Sequence, residues 1–419
     1  MRFMKKKTLL PLFLGLVCPS LLLAADYRFV PSIGVSEDVT DNVYETPYGR
    51  HVDMVTRVQP GGALQYASSS NTLDAAYTLD YHHYALNTLT DEISHTLEVR
   101  GAFTLIEDFL KLDLTENFSR ISLDVARDNT PESLSFNQTD QNTLLVSPYM
   151  LWHLGPRATL KTGLRYVDTR YWSLLGIDSR QQGAFAQLTY ALKPRLSLTA
   201  ECVFNNTVTQ PLRYDNYDVS VGLRYEYAAK SFIFGSIGNN WQTFSTGNSM
   251  NNPIWDVGVI SDFGTVVATL ESHVQYTQDP LTASERQTSY SAKLEKIMPR
   301  ATLNLSAAYN DYLDEAGVLA QSQSRHGTTI VVGASREVSP RLTASLNVTG
   351  DQFSRVAWLD QTALDYPYHL AVTGSLGYAM SHEATFGFTY TYATYRNRID
   401  EANGSVEVNR VVFQVRKAF

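Results

Sequence analysis

Charged side chains recur at every second position along several stretches of the chain, a spacing that puts them on one face of an extended strand. Their signs are mixed, which leaves two interpretations open. They could create a transverse field that orients a polar solute, or they could form cross-strand ion pairs that hold a hydrated wall in register. The positions are Asp74, Asp80, His82, Glu98, Arg100, Lys111, Asp113, Lys161, Arg165, Asp218, Arg224, Glu226, Glu271, His273, Lys293, Glu295, Arg410 and Arg416.

No catalytic or metal-binding pattern accompanies these charges. The nine histidines show no metal-ligand spacing, and the neighbours His82 and His83 would point to opposite faces of a strand. Cys18 and Cys202 are the two cysteines, and Cys202 falls in an apolar strand pattern where we interpret it as a packing residue. We therefore predict that the protein is not an enzyme and holds no cofactor and no metal.

The segments that carry the charges alternate strictly between apolar and polar residues. In Ala301–Tyr312, for example, Leu303, Leu305, Ala307 and Tyr309 share one face, and the other face carries Thr302, Asn304, Ser306 and Asn310. The 25 tyrosines and 18 phenylalanines suit a pleated surface with one wet and one apolar side. Strict alternation is typical of strands that separate two environments, and no helical spacing competes with it.

Strand length and loop asymmetry favour a membrane barrel over a soluble sandwich. Most segments run roughly 10 to 14 residues, whereas about 9 to 11 cross a bilayer and soluble strands average about 5 to 6. Long polar connections (Ile121–Asp140, Thr243–Pro253, Leu313–Ser324 and Arg355–Tyr366) lie between tight turns. These turns are Ser68–Asn71, Ile106–Asp108, Gly155–Arg157, Lys193–Arg195, Ala228–Lys230, Phe263–Thr265, Met298–Arg300, Ser339–Arg341 and Ser381–Glu383. We predict an all-β, transmembrane, antiparallel up-and-down barrel of about 18–20 strands, with short periplasmic turns and longer extracellular loops.

Both ends of the chain fit secretion to an outer membrane. Residues 1–25 have a basic start, an apolar run and a small-residue end at Ala24 and Ala25, which predicts a cleaved signal peptide. Residues 26–419 would then form a single barrel domain. At the other end Val411, Phe413 and Val415 alternate toward a terminal Phe419. This ending resembles the signal that the outer-membrane insertion machinery reads.

Charge and width limit the partners. Removing Arg2, Lys5, Lys6 and Lys7 with the signal changes the formal charge from −8 to −12, which argues against nucleic acid as a partner. A barrel of 20 strands is about 40 Å wide, and no segment is large enough to be a folded plug. We therefore predict a channel whose partners are outer-membrane lipid and the insertion machinery.

Four stretches resemble the outer-membrane barrels associated with PEP-CTERM/exosortase systems. They are Pro31–Tyr44, Asp53–Gly61, Leu79–Tyr84 and Val146–Tyr149. The genes of that family usually lie among exopolysaccharide functions. The resemblance therefore implies a role in passing polysaccharide through the outer membrane, with polysaccharide and separate periplasmic export proteins as partners.

Three functions follow as hypotheses. The first is an exopolysaccharide export channel, which the width and the resemblance favour. The second is a general or solute-selective diffusion porin. The third is a sheath around an electron-transfer cytochrome, whose haems would come from a partner because the chain has no haem-attachment motif.

Overall fold

A computed structural model describes residues 25–122, 138–210, 212–279, 282–314, 324–353, 368–381, 383–396 and 405–419. These residues form twenty β-strands and no helix. The strands are β1 (Asp26–Thr40), β2 (Asp53–Ala67), β3 (Asn71–Tyr84), β4 (Glu92–Ile106), β5 (Leu110–Ser122), β6 (Gln138–Gly155), β7 (Ala158–Tyr171), β8 (Ser179–Lys193), β9 (Leu196–Thr209), β10 (Arg213–Ala228), β11 (Ser231–Phe244), β12 (Ser249–Asp262), β13 (Val266–Asp279), β14 (Thr282–Met298), β15 (Ala301–Asp314), β16 (Ser324–Ser339), β17 (Leu342–Phe353), β18 (Tyr368–Ala379), β19 (Ala384–Arg396) and β20 (Val406–Ala418).

The strands close into one antiparallel barrel. Each strand pairs with the next along the chain, and β1 pairs with β20 from Ser32 opposite Ala418 to Thr40 opposite Arg410. The strands are 12 to 18 residues long, which is longer than the alternation alone indicated. The predicted all-β transmembrane barrel, with twenty strands at the upper end of the predicted range, is confirmed.

Nine tight turns join the strands at one end of the barrel, which we call the turn end. They fall at the predicted positions, and each leaves two to four residues between strands. Four of the turns share a Pro-Arg pair, at Arg157, Arg195, Arg300 and Arg341. In each, the arginine carbonyl accepts a hydrogen bond of 2.8 to 2.9 Å from the strand after the hairpin. The repeat therefore joins neighbouring hairpins as well as closing its own.

The connections at the opposite end, the loop end, are longer in most cases but not in all. The predicted long loop Thr243–Pro253 is wrong: β11 continues to Phe244 and β12 begins at Ser249. Its polar residues occupy strand positions because this part of the wall has a polar inner face and a polar rim. Most of Ile121–Asp140, Leu313–Ser324 and Arg355–Tyr366 lies outside the described residues, as do residues 1–24 of the predicted signal peptide.

The ladder register assigns one face of every strand to the interior. Followed around the barrel from Asp38 of β1, it puts all eighteen charged positions singled out above on the inner face. The outer face carries exposed apolar side chains such as Ile33, Leu164 and Ile237. The exposed Cys202 also lies on the outer face, so it contacts lipid and not a packed core. No helix in the described residues is long and apolar enough to span a bilayer.

The outer face becomes polar toward the loop end. Arg170 donates to Asp168 at 2.8 Å, and Glu37 accepts from Thr56 at 2.9 Å. Charged groups cost roughly 2 to 4 kcal/mol each on the lipid face at mid-membrane. This belt, which we call the polar collar, therefore lies above the hydrocarbon, and it accounts for the extra strand length.

The ladder between β12 and β13 is incomplete, and we call this gap in the pairing the seam. β12 pairs with β11 over nearly its whole length, but it pairs with β13 only from Asp256 opposite His273 to Asp262 opposite Val267. Above that level the β13–β14 hairpin leans into the barrel, and Ser284 donates to Gln242 on the inner face of β11 at 3.3 Å. Pro253 lies in the unpaired stretch of β12, where a residue without an N–H costs no ladder bond. The leaning hairpin is the main departure from a regular barrel in the described residues.

Candidate functional site

The predicted inner-face charges meet mainly within single strands. Four two-residue neighbours pair: His82 with Asp80 at 3.1 Å, Glu271 with His273 at 3.9 Å, Lys293 with Glu295 at 3.0 Å, and Glu98 with Arg100. Asp74, Lys111, Asp113, Glu226 and Arg416 form no ion pair among the described residues. Ion pairs between strands instead recruit residues that the sequence pattern did not single out.

A charged cluster lies toward the loop end of β2 to β6. Asp80 accepts from Arg57 and, at 2.9 Å, from Gln59. His82 lies between Asp80 and Glu92, 3.3 Å from the latter. Arg120 continues the chain of contacts, 2.8 Å from Glu92 and 3.1 Å from Asp140. We call Arg57, Asp80, His82, Glu92, Arg120 and Asp140 the charged cluster, and each has an oppositely charged or titratable partner.

The barrel closure carries a buried ion pair. The Arg410 Nε atom lies 2.7 and 2.6 Å from the two carboxylate oxygens of Asp38, and its Nη2 atom contacts the same group. Asp38 is 0% exposed and Arg410 is 8% exposed. A buried pair of this kind is strongly destabilised when one member is removed, because the other charge stays buried without a partner.

Cationic side chains stack on aromatic rings along β6 to β11. The Lys161 ammonium lies 3.8 Å from the centre of the Tyr149 ring and 5.6 Å from that of Phe185. Arg165 lies 5.3 Å from the Phe185 centre, and Arg224 lies 3.7 Å from that of Phe232. These distances permit cation–π attraction, which fixes long side chains against the wall.

Toward the loop end, the inner face of β9 to β11 carries neutral amides around one carboxylate, Asp218. Asn216 donates to Asp218 at 3.1 Å, and the amide of Asn240 contacts both. We call Asn205, Asn216, Asp218, Asn240 and Gln242 the amide wall. Asn205 Oδ1, Asn240 Oδ1 and Gln242 Nε2 are buried without a hydrogen-bond partner among the described residues.

The leaning hairpin and the amide wall border a partly open cavity of about 370 Å³. Val274 and Tyr276 would point to lipid in a regular barrel, since they alternate with the inward His273. Instead Val274 is only 8% exposed, and Tyr276 lines the cavity opposite Tyr214. The remaining lining residues are Arg165, Gln181, Val203, Asn205, Asn216, Asp218 and Gln242. This volume falls within the roughly 300–1,000 Å³ of small-molecule sites.

Acids outnumber bases on the inner face from β7 to β14, taken over the whole height of the wall. Away from the terminal residues of the strands, the described inner face from β7 to β14 carries the bases Lys161, Arg165, Arg224 and Lys293, and the acids Glu201, Asp218, Glu226, Asp256, Glu271, Glu285 and Glu295. His273 also lies there. On the leaning hairpin Arg286 lies opposite Tyr276, on the face that turns toward the amide wall, and its Nε is buried, so the charges near the cavity are of both signs.

Asp91 lies in the connection between β3 and β4, outside the strands, and contacts three residues near the end of β3. It accepts from Tyr81 at 2.7 Å and from the Tyr84 N–H at 3.2 Å, and His83 Nδ1 lies 3.0 Å away. Because the ionised carboxylate receives these contacts, with His83 the largest contributor, the pKa of Asp91 falls to about 2.

The C-terminal strand places Val411, Phe413 and Val415 on the outer face, and the Phe419 N–H donates to the Pro31 carbonyl at 2.9 Å. Their role as an insertion signal stays a prediction. No group of three or more His, Cys, Asp or Glu side chains within the described ranges is arranged to hold a metal ion.

The sequence pattern missed several residues that the structure brings together. Asp38 and Arg57 obey the same two-residue alternation, opposite Val39 and Val58, so a stricter use of that signal would have found them. Asn205 and Gln242 are neutral, and no charge drew attention to them. Tyr276 could not have been found, because the alternation assigns it to the outer face.

Comparison with known proteins shows the fold. No family model matches the sequence, and no curated protein matches it. Solved structures that are similar include the FrpB iron transporter from Neisseria meningitidis, with 10% identity and a TM-score of 0.56 over 93% of this chain and 81% of that chain. The siderophore receptor PirA from Pseudomonas aeruginosa has 12% identity and a TM-score of 0.52 over 94% and 80%. The ferric enterobactin receptor PfeA from the same organism, with enterobactin bound, has 10% identity and a TM-score of 0.51 over 94% and 82%.

These comparisons correct the predicted function. The similar solved proteins are transporters and receptors for iron and its chelates, not enzymes. That finding contradicts the exopolysaccharide export channel, the diffusion porin and the cytochrome sheath, together with polysaccharide and export proteins as partners. The width of the barrel misled the prediction, because a wide lumen indicates equally well a channel and a receptor. The resemblance to PEP-CTERM-associated barrels stays a prediction. The protein lies in the outer membrane, in contact with its lipid.

Proposed function

We propose that this protein is an outer-membrane uptake receptor that binds a ferric chelate in the cavity beneath the β13–β14 hairpin and passes it inward. The observation that carries the proposal is the partly open cavity between Tyr276 and the amide wall. The likeness to iron and siderophore transporters supports the choice of ligand, since those proteins share this barrel architecture.

The cavity has the chemistry of a recognition site. Amide groups, two tyrosines and one ion of each sign converge on a concave surface, which is the usual composition of a polar ligand site. Each buried polar atom without a partner costs about 1 to 3 kcal/mol. A ligand that supplies partners to Asn205 and Gln242 after a small shift of the hairpin therefore gains binding energy there.

The seam allows the β13–β14 hairpin to move. Above His273 the hairpin has no ladder pairing with β12, so it can swing without breaking a ladder bond to that strand. Its described polar contact with the amide wall is the bond from Ser284 to Gln242. Among the residues predicted to line the lumen, Arg165 and Asp218 border the cavity and would contact the ligand directly.

Uptake of radiolabelled iron tests the proposal. A strain deleted for this gene is given iron as ferrichrome or as ferric enterobactin, and cell-associated label is measured with and without the restored gene. We expect uptake of at least one chelate to fall to background in the deletion strain and to recover with the wild-type chain.

The matched control is a chain with Gly377→Ala, a change on the inner face of β18 where an added methyl group meets no atom within 4 Å. It should restore uptake fully. Equal uptake of both chelates by the deletion and wild-type strains, with the barrel present in the outer membrane, would contradict the proposal.

A further inference from the structure

We infer, resting on the proposed function, that the cavity opens sideways through the seam into the outer leaflet and takes a ferric chelate that carries an acyl chain. The polar head of such a ligand would bind against the amide wall, and its chain would extend through the seam into the hydrocarbon. The path of the leaning hairpin, the height of the seam and the side chains around it support this inference.

The cavity lies on the lipid side of the β13–β14 hairpin. Leu270, Val274 and Tyr276 share the face of β13 that points outward in a regular barrel. Leu270 is 59% exposed, whereas Val274 is 8% exposed and Tyr276 lines the cavity. One continuous face therefore runs from the lipid to the cavity, with Val274 between them. The opposite side of the cavity is the inner face of β7 to β11, so the space between the hairpin and that wall faces the membrane at the seam.

The seam begins below the polar collar. β12 pairs with β13 over seven residues, from Asp262 at the turn end to Asp256. In the collar, Asp168 is the eleventh residue of β7 counted from the turn end. A strand that rises about 3.3 Å per residue and is tilted roughly 40° gains about 2.5 Å in height per residue. This difference of four residues puts the start of the seam about 10 Å below the collar, at the level of the hydrocarbon.

Apolar and aromatic side chains surround the seam on the outer face. Trp255 lies one residue above the last ladder pair of β12 and donates to Ser272 Oγ at 3.0 Å. Ile237 on β11 and Tyr290 on β14 are exposed on the same face. Pro253 has no N–H, so the unpaired edge of β12 lacks a donor that hydrocarbon could not satisfy. The opening is therefore suited to an acyl chain.

The lining of the cavity is polar, unlike the seam. Arg165 and Asp218 supply one ion of each sign. Arg286 lies opposite Tyr276 on the hairpin, and its Nε atom is buried. Gln242 Nε2 is buried without a hydrogen-bond partner among the described residues. A ligand that is polar at one end and apolar at the other matches this arrangement, because each end meets a surface of its own kind.

Two ligands with the same head test the inference. Acylation of the terminal amine of ferrioxamine B gives an N-acetyl and an N-decanoyl derivative with the same iron-binding groups and the same charge. Quenching of tryptophan fluorescence measures binding to the full-length barrel in lipid nanodiscs, and each Kd refers to the free aqueous ligand after uptake by empty nanodiscs is subtracted. We expect the N-decanoyl derivative to bind at least about tenfold more tightly, because burial of two additional methylene groups already accounts for that factor.

Val274→Asn tests whether the chain follows this path. It places an amide where the chain passes from the bilayer to the cavity, so the N-decanoyl derivative should lose most of its advantage. The Kd of the N-acetyl derivative should stay within about twofold, because Val274 does not line the cavity. Val332→Asn, the same change on the exposed outer face of β16, should alter neither Kd. An advantage that survives Val274→Asn, or equal binding of both derivatives to the wild-type chain, would overturn the inference and leave the proposed function standing.

A photoreactive chain gives a second readout in the wild-type protein. A diazirine in the middle of the N-decanoyl chain is irradiated after binding, and the labelled peptides are identified by mass spectrometry. We expect label on β12 and β13, the strands that border the seam. Label spread evenly over the outer face, or confined to the loop end, would overturn the inference. Failure of both derivatives to bind a folded barrel would overturn it as well, and the uptake of ferrichrome and ferric enterobactin would then decide the proposed function.

Discussion

Two parts of the inner wall differ in how their polar groups are satisfied. In the charged cluster of β2 to β6 each ion has an opposite partner, as Asp80 has Arg57 and Glu92 has Arg120. In the amide wall the groups are neutral, and Asn205 and Gln242 keep buried atoms without partners among the described residues. The first wall neutralises its own charges, although the two ring nitrogens of His82 make no hydrogen bond there, whereas the unpaired amide atoms of the second wall border a cavity.

This difference separates stability from recognition. A satisfied ionic network holds strands in register and offers little to a ligand, since any new contact must replace an existing one. An amide wall under a hairpin is less stable by itself, but a ligand can complete it. Changes in the charged regions should therefore alter folding, and changes in the amide wall should alter binding.

Arg410→Ala should have the largest effect. It leaves Asp38 buried and unpaired, which we expect to cost about 3 to 5 kcal/mol in the free energy of unfolding. Urea unfolding of the barrel in lipid vesicles, followed by the shift in gel mobility of unheated samples, measures this loss.

Two further variants test whether the unpaired buried charge causes this loss of stability. Arg416→Ala removes an exposed arginine from the same face of the same strand and should cost little. The double change Asp38→Asn with Arg410→Gln should recover much of the loss, because no buried charge remains. If Arg410→Ala unfolds like the wild type, the closing ion pair does not stabilise the barrel.

A disulfide across the cavity should abolish uptake without altering stability to a comparable degree. Gln242→Cys with Ser284→Cys places two thiols where a 3.3 Å hydrogen bond now joins the hairpin to the wall. We expect ferric-chelate uptake at least tenfold lower in the oxidised protein and restored by a reductant. The native Cys202 faces lipid and is not available to either thiol. If uptake is the same in the oxidised and the reduced protein, the hairpin does not need to move.

Gly183→Ala should weaken ligand binding moderately. A Cβ at this position would overlap Asn205 Oδ1 and the Phe204 carbonyl, so the amide must shift away from the cavity. We expect the Kd of the preferred chelate to rise about three- to tenfold, which corresponds to the loss of one hydrogen bond. Gly377→Ala is the matched control because it meets no neighbouring atom. An unchanged Kd in a folded Gly183→Ala barrel would remove Asn205 from the site.

Lowering the pH should weaken the hydrogen bonds that Asp91 accepts near the end of β3, and this is the smallest effect that we expect. Its folded pKa, about 2, is below the ordinary value of 3.8. The contribution is therefore present above about pH 4 and is lost as the pH falls toward 2. The protection factor of the Tyr84 amide, which donates to Asp91, should fall over that range in the wild type when hydrogen exchange is corrected for its intrinsic dependence on pH. The Asp91→Asn variant should show no such change, and an identical pH profile in both proteins would contradict the assignment.

The sequence was enough to predict the barrel, because alternation, turn chemistry and strand length are local signals. Leu303 and Leu305 belong to the outer face whatever the rest of the chain does. The site was less accessible. Arg165 and Asp218 were identified as inner-face residues, but their meeting with Tyr276 depends on a hairpin that leaves its place in the wall. The alternation of residues 266–279 does not indicate that the ladder to β12 stops at His273.

The ion pair between Asp38 and Arg410 also bears on how the molecule is assembled. Its partners are 372 positions apart in the chain, and they meet only when the first and last strands join. Contacts between such distant residues form late in folding. Before that moment Asp38 has no counter-ion and is best left in water, so burial of this carboxylate and completion of the cylinder are a single event. An incomplete cylinder is thereby marked by a hydrated acid at its open edge, a difference that assembly factors or proteases could sense.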